Sequence, residues 1–308
     1  MWGVSSNISA KPDMNIKILP LNSQIAFLSR FSRDSALQWQ VLAGFQALMS
    51  VWLISATQGD HGITMLTVVV WGGAAICMED QLEDFQVHPS RASLVAGLTL
   101  LIYATWRSIV VLDLDSMVYV LPIIQGLGLA LMARPVRKLL SFGQPLFVLS
   151  LFSLQFLAFK LLPEYWLSIT TGKLGHIFLL MFDVKSESVG RILSTGGSGV
   201  SIQPACSGSG MIAQLTVIAI VFLMAFPIKS ISSRVIFLVS APVIGYLVNV
   251  WRIAILAVIS GSSLSQKQQL FDFMHDEWGG LVFSGIATLI VGQIYMTMVD
   301  RQLANDRG

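Results

Sequence analysis

The sequence predicts an all-α polytopic membrane protein with about eight transmembrane helices and a small extracytoplasmic β-hairpin. Hydrophobic residues make up 54% of the 308 residues and charged residues only 12%, whereas a soluble domain carries about 25% charged residues. Apolar runs of membrane-spanning length recur along the chain and are separated by short polar segments. One longer polar stretch, rich in serine and glycine, interrupts this pattern and contains a cysteine.

The composition also limits the classes of function. The formal net charge is only +2, and no basic run is long enough to bind nucleic acid, so nucleic acid is not an expected partner. The two cysteines are Cys77, inside an apolar run, and Cys206, in a loop, so neither a disulfide framework nor a CxxC metal motif is expected. No metal or organic cofactor is predicted. Residues 1–37 are polar and are interpreted as a cytoplasmic tail rather than a signal peptide.

Eight apolar runs are candidate membrane spans, since a span needs about 20 mostly apolar helical residues. They are Gln38–Thr57, Ile63–Met78, Ala92–Leu112, Met117–Ala133, Pro145–Leu162, Met211–Phe226, Val235–Ser260 and Gly280–Val299. A ninth run, Leu174–Phe182, is too short to span and is predicted to form an interfacial or partly buried helix. The chain then divides into the tail, N-terminal helices over 38–162, a C-terminal unit over 163–299 and a cytoplasmic end over 300–308.

The distribution of lysine and arginine predicts that both termini lie in the cytoplasm, because short cytoplasmic loops carry an excess of these residues. With the N-terminus inside, the inner segments carry twelve and the outer segments five. The lipid bilayer is therefore one partner of the chain. In this orientation the segments Pro163–Ala205 and Gly261–Glu277 both face outward.

Two short strands are predicted in the first of these outer segments, over Ser188–Leu193 and Gly199–Ile202. The run Thr195-Gly196-Gly197-Ser198 supplies a turn between them. The resulting hairpin leads the chain to the cysteine.

Cys206 lies at the boundary between this loop and the sixth apolar run. Pro204 suits the first turn of a helix, where its missing N–H costs nothing, and Ser207 and Ser209 are predicted to supply capping oxygens. The thiol would then lie near the positive end of a helix dipole, which lowers the pKa of a cysteine. Considered alone, an inert buried cysteine is the ordinary alternative.

Arg252 lies within the seventh apolar run, where an arginine is costly unless it faces a cavity or a partner. Asn249 is one helical turn earlier on the same face, and it could orient Arg252 or a substrate carbonyl. The alternative is a structural arginine, paired with an acid or extended to the headgroups. Arg107, in the third run, is a similar case that we interpret as structural.

His275 precedes the eighth apolar run and is predicted to lie at the outer membrane surface. Considered alone, a solvated histidine beside the interfacial Trp278 is the ordinary alternative. Asp272, Asp276 or Glu277 could orient its imidazole as the third member of a triad, and the sequence does not decide among them.

Three separate segments thus bring one cysteine, one arginine and one histidine to the same side of the membrane. A cysteine nucleophile needs a base within hydrogen-bond reach, and a tetrahedral intermediate needs a positive or donor group at its oxyanion. His275 and Arg252 fit these two roles beside Cys206.

The motifs that carry these residues resemble those of the exosortase/archaeosortase family. They are Ala205-Cys206-Ser207-Gly208 at a loop-to-helix junction, Asn249-Val250-Trp251-Arg252 in the next span, and His275 before the last span. The resemblance covers mainly residues 174–299, and Trp278-Gly279-Gly280 beside the histidine suggests the cyanobacterial branch.

The resemblance implies a multi-spanning cysteine transpeptidase that processes membrane-tethered proteins bearing a C-terminal sorting signal of the PEP-CTERM type. Residues 163–299 would be its catalytic core, in a bacterial inner membrane, with the active site on the extracytoplasmic side. It implies that Cys206 is the nucleophile, Arg252 the oxyanion or substrate stabiliser and His275 the general acid/base. Further candidates for binding or orienting the substrate are Asn249, Ser207 and Asp276. Family members often carry an aliphatic residue and sometimes an arginine after Cys-Ser-Gly, where this chain has Ser209 and Gly210.

Three other functions stay open at this point. The Ser207–Gly210 stretch superficially permits a rhomboid-type serine protease. A transporter or assembly factor could line an anion path with Arg107 and Arg252, although matching Gly and Pro interruptions in two halves are not seen. A membrane acyltransferase using Cys or His is the third alternative. The sequence does not indicate an oligomeric state.

Overall fold

The computed structural model describes residues 35–58, 61–78, 87–110 and 116–307. Almost all of the predicted N-terminal tail therefore lies outside the described residues. The α-helices of the described ranges are α1 Ser35–Gln58, α2 His61–Ile76, α3 Arg91–Val110, α4 Leu121–Ala133, α5 Gly143–Leu161, α6 Glu164–Met181, α7 Ser209–Ala225, α8 Ile231–Gly261, α9 Lys267–His275 and α10 Glu277–Arg307. Short 3-10 helices cover Ser116–Tyr119, Val136–Phe142 and Pro204–Cys206.

Each predicted apolar run coincides with helix in the described residues, but the helices differ in length. Four of them, α1, α3, α8 and α10, are long and apolar enough to cross a membrane, whereas α2, α4 and α7 are apolar but shorter. The 13 residues of α4 extend only about 20 Å at 1.5 Å per residue, compared with a hydrocarbon core of about 30 Å. The prediction of a polytopic helical protein is confirmed, and the number of eight spans stays a prediction.

The predicted short helix at Leu174–Phe182 is wrong in extent, because α6 begins at Glu164. Pro163 stands at its N-cap, and Glu164 places a carboxylate near the positive end of the helix dipole. The buried stripe of α6 consists mainly of small and polar residues, with one leucine at its end, and a search for apolar runs does not detect such a stripe. These residues are Ser168, Thr171, Gly172, Gly175 and Leu179.

The sheet has three antiparallel strands in the order β1-β2-β3, where the sequence predicted two. β1 is Ser186–Val189, β2 is Ile192–Thr195 and β3 is Ser198–Ser201. The predicted strand Ser188–Leu193 is wrong, since the chain reverses at Gly190 with a φ of 59°. The predicted turn between β2 and β3 is confirmed at Gly196 and Gly197, whose φ values of 57° and 82° favour glycine.

The sheet is attached to the end of α8. Leu193, Val200 and Ile202 are buried against apolar side chains of α6 and α8. The Thr195 hydroxyl donates to the carbonyl of Ala257 at 2.7 Å. These contacts fix the strand that leads into residues 202–206, and therefore the approach of the chain to Cys206.

A second apolar core joins α7, α8 and α10 below the cysteine. Phe237 and Val248 of α8 pack there with Leu215 of α7 and Phe283 of α10. At Gly245, a Cβ would lie 2.8 Å from the carbonyl oxygen of Met211, so α7 and α8 cross very closely near the start of α7. This packing brings the loop before α7 against the middle of α8.

Candidate active site

Cys206 ends the short 3-10 helix Pro204–Cys206, with Pro204 in its first turn. Gly208 follows with a φ of 99° and is the N-cap of α7, without a side-chain cap. Ser207 Oγ accepts a long hydrogen bond from the backbone N–H of Ser209, the first residue of α7, at 3.4 Å, in keeping with its predicted capping role. The predicted capping role of Ser209 is wrong, because Ser209 follows the N-cap and lies inside the helix. The left-handed glycine turns the chain so that the two serine hydroxyls lie 3.3 Å from one another, and both serines are buried.

Two carbonyl oxygens of this loop accept hydrogen bonds from buried side chains. Asn249 Nδ2 donates to the carbonyl of Cys206 at 3.0 Å, and Thr171 Oγ1 donates to the carbonyl of Ser207 at 2.8 Å. Asn249 is 3% exposed and Thr171 is 0% exposed. Since buried carbonyls without a partner are costly, these two donors favour one conformation of the loop.

Thr171 was missed at the level of sequence, because nothing in its neighbourhood connects residue 171 with residue 207. The Tyr246 hydroxyl lies 3.3 Å from Thr171 Oγ1 and 2.8 Å from Thr170 Oγ1. Thr171 of α6 and Tyr246 of α8 thus form part of the buried layer that supports the loop. Ser207 itself lies in this buried layer rather than on the open side of the loop.

His275 is the last residue of α9, and its Nε2 lies 3.9 Å from the Cys206 sulfur. On the other side of the ring, Nδ1 lies 3.4 Å from the carboxylate of Asp276. Phe271 stacks on the imidazole, with ring centroids 5.5 Å apart and an angle of 11° between the planes. The sulfur of Cys206 therefore faces one nitrogen of the ring, and the carboxylate of Asp276 faces the other. Both distances are long for hydrogen bonds, as is common at catalytic sites in the absence of substrate.

The acids near His275 are not equivalent. Asp276 faces the imidazole, whereas Asp272 accepts a hydrogen bond from Gln268 on the same helix at 2.8 Å. The side chains of His275 and Asp276 are 44% and 66% exposed, and Cys206 is half-buried. A substrate can therefore reach the pair from the open side.

Arg252 connects α8 to the end of α9. Its Nε donates to the carbonyl of Met274 at 3.3 Å, and its Nη2 donates to the carbonyl of His275. A guanidinium at these carbonyls satisfies acceptors that a helix C-terminus leaves open and complements its negative dipole end. The hydrogen bond described for the Asn249 side chain goes to the Cys206 carbonyl, so Asn249 orients the loop of the cysteine.

Two effects act on the thiol in opposite directions. Burial raises the pKa of Cys206, and the positive charge of Arg252 lowers it by less, so the pKa lies above the ordinary value. The predicted lowering by the helix dipole is therefore wrong, because desolvation of the thiolate outweighs the favourable charges. A raised pKa favours the protonated thiol, so attack needs a neighbouring base that takes the proton.

The structure places Arg107 apart from this group. It lies in the last turn of α3, which packs on α1 and α4, whereas Arg252 lies on α8, which packs on α6, α7 and α10. Within the described ranges, no three His, Cys, Asp or Glu side chains lie together as a metal site requires.

A family model described as transmembrane exosortase matches residues 39–292. The chain belongs to the transmembrane exosortase family. The matched residues are most of the chain and include Cys206, Arg252 and His275. As a member of this family with several apolar helices, it is a multi-pass membrane protein. No curated protein and no solved structure matched the chain. The match does not distinguish a cyanobacterial branch, which stays a prediction.

Proposed function

We propose that this member of the exosortase family is a cysteine transpeptidase that cleaves the C-terminal sorting signal of membrane-tethered proteins. The observation that carries the proposal is the 3.9 Å separation between the Cys206 sulfur and Nε2 of His275. Asp276 lies against Nδ1 of the same ring. This is the order of nucleophile, base and orienting acid that activated cysteine nucleophiles use.

In the first half of the reaction, the thiol proton moves to Nε2 of His275 as the sulfur attacks the scissile carbonyl carbon. Asp276 favours the resulting imidazolium, and the charge of Arg252 stabilises the tetrahedral oxyanion. When the intermediate collapses, the C–N bond breaks and the leaving amine takes the proton from His275. The product is a thioester between Cys206 and the substrate.

In the second half, an acceptor attacks the thioester carbonyl and gives its proton to His275. The C–S bond then breaks, and the Cys206 sulfur recovers the proton. With water as acceptor the result is proteolysis, and with an amine it is transpeptidation. Both acceptors can use the same residues, because each gives its proton to His275 in the same way.

The location of the site is part of the proposal. The lysine and arginine distribution favours cytoplasmic termini, so the loops that carry Cys206 and His275 face the extracytoplasmic side of a bacterial inner membrane. A sorting signal of the PEP-CTERM type has a transmembrane helix and a basic tail, and the same charge rule keeps that tail inside. The short motif before the helix then emerges on the side of Cys206. Residues 163–299 form the catalytic core, and the cyanobacterial branch is the narrower form of the same proposal.

The test is to co-express the protein with a substrate that carries a PEP-CTERM-type tail and to follow loss of the tail. Cys206→Ala is expected to abolish processing, while Cys77→Ala, at the other cysteine of the chain, leaves it unchanged. Membrane insertion of both variants is checked by fractionation. Unchanged processing by Cys206→Ala contradicts a thiol nucleophile. Full activity of Cys206→Ser favours a serine-type protease instead.

A further inference from the structure

The helix that carries His275 has three different sides. At 100° per residue, Phe271 and Met274 of α9 fall on one side, and they pack on the apolar cluster at the end of α8. Leu270 and Phe273 fall on a second side, where they are 37% and 50% exposed. The third side is polar and carries Gln268, Asp272 and His275. The exposed apolar side and the side of the imidazole thus point in nearly opposite directions around the helix.

The exposed side of α9 is shared with the connection from α8, because Leu264 lines one surface pocket with Leu270 and Phe273. Leu264, in the connection from α8, is 57% exposed, and Trp278, at the start of α10, is 58% exposed. Both α8 and α10 are long and apolar enough to cross a membrane. Since α9 joins the same end of both helices, it lies at the height where the two helices leave the bilayer.

We propose that the docking face, formed by Leu264, Leu270, Phe273 and Trp278, lies in the membrane interface between the lipid headgroups and the upper acyl chains. The partner is the lipid surface itself, because the docking face contains no charged side chain and is continuous with helices that enter the bilayer. Apolar residues on one side and polar residues on the other, as in α9, are typical of helices that lie in this plane. Tryptophan, as at the start of α10, is enriched at the same depth.

The depth of α9 in the interface then sets the position of the imidazole. Phe271 stacks on His275, and Arg252 bonds the carbonyls of Met274 and His275, so the ring moves with the helix. The Cys206 loop is bonded by Thr171 of α6 and by Asn249 of α8, the helix whose Arg252 also bonds the end of α9. Docking of α9 on lipid would add to these contacts and help to keep Nε2 near the sulfur. This inference concerns the contact between thiol and imidazole, and it stands whether or not the protein is a transpeptidase.

The first experiment measures which side of α9 meets lipid. Single cysteines replace Phe273 or Gln268 in a full chain that carries Cys77→Ala and Cys206→Ala, and each is labelled with an environment-sensitive fluorophore. The proteins are placed in phosphatidylcholine vesicles with or without a shallow spin-labelled lipid as quencher. The label at 273 is expected to be quenched by the lipid at least about twofold more than the label at 268, and aqueous iodide should give the reverse order.

Equal quenching by iodide at the two positions overturns the proposal, because the docking face would then be in water. Shielding of position 273 that requires a substrate protein also overturns it, since the face would then bind protein rather than lipid.

The second experiment measures the coupling to the cysteine. In a Cys77→Ala chain, the rate of Cys206 alkylation by iodoacetamide is followed against pH in the same vesicles. Phe273→Ser is expected to shift the profile to that of His275→Gln, while Phe273→Leu and Gln268→Ser keep the profile of the parent. The conservative Phe273→Leu variant separates loss of docking from loss of folding. If Phe273→Ser keeps the parent profile although it no longer docks, control of the imidazole by the membrane is wrong.

Discussion

Removing the Thr171 hydroxyl tests whether the buried support beneath Cys206 determines activity. Thr171→Val keeps the shape of the side chain but leaves the Ser207 carbonyl without the donor that lies at 2.8 Å. A buried acceptor without a partner costs about 1–3 kcal/mol. At 1.4 kcal/mol per factor of ten, the equilibrium constant that favours the observed loop conformation over its alternatives falls by roughly 5- to 140-fold.

The assay is the rate of sorting-signal processing at equal amounts of membrane-inserted protein, with thermal unfolding measured in parallel. Thr170→Val is the matched control, because this neighbouring hydroxyl is exposed and contacts the Tyr246 hydroxyl and carbonyls of its own helix rather than a carbonyl of the Cys206 loop. Its effect should stay within about 0.5 kcal/mol. Thr171→Ser keeps the donor and should recover most of the activity.

The reasoning is refuted if Thr171→Val processes substrate as fast as Thr170→Val. Such a result would mean that the Ser207 carbonyl finds another partner at no cost, or that the loop conformation does not limit the reaction. A fall in unfolding temperature without a fall in processing would assign the hydrogen bond to stability alone.

Four further predictions concern the charge, the thiol, the turn and the acid of the same site. Arg252→Gln should raise the pKa of Cys206 further, because the positive charge that opposes the effect of burial is lost. The pH at which alkylation of Cys206 becomes fast should therefore rise, and an unshifted pH profile would contradict this. The pKa of Cys206 is raised in the folded protein, so the unfolded chain releases the thiol proton at lower pH. The free energy of unfolding should therefore fall as the pH rises above the ordinary thiol pKa, and it should fall less in Cys206→Ala. Gly208→Ala should lower the free energy of unfolding by about 1–2 kcal/mol or more, because φ is 99° and the new Cβ would lie 3.0 Å from Nδ2 of Asn249. Gly143→Ala should not, because Gly143 has a helical φ and open space around it, and chemical denaturation compares the two variants. Asp276→Asn should slow processing less than loss of the histidine does, because the exposed carboxylate only orients the ring at 3.4 Å; equal losses would make the acid as essential as the base.

The membrane class and the helices could be predicted from composition and from apolar runs, since the bilayer admits few alternatives to apolar helices. The same method missed the first half of α6, where the buried residues are serine, threonine and glycine. The sequence also predicted one strand where β1 ends and β2 begins, because four residues are too few for the alternation of polar and apolar side chains to show where a strand ends. Short elements of this kind are decided by packing on their neighbours.

The candidate site shows the same division. The sequence by itself singled out the side chains that we propose to carry the chemistry, because a lone cysteine at a loop-to-helix junction, an arginine in an apolar run and a histidine before a span are costly or unusual there. It did not determine the pKa of the thiol, the donor from Thr171 or the bonds from Arg252 to the end of α9. Only the tertiary structure decided these, because they depend on how deeply the loop is buried and on contacts between residues 22 to 46 positions apart in the chain. Desolvation and hydrogen-bond geometry are properties of that packing, and no local pattern of residues encodes them.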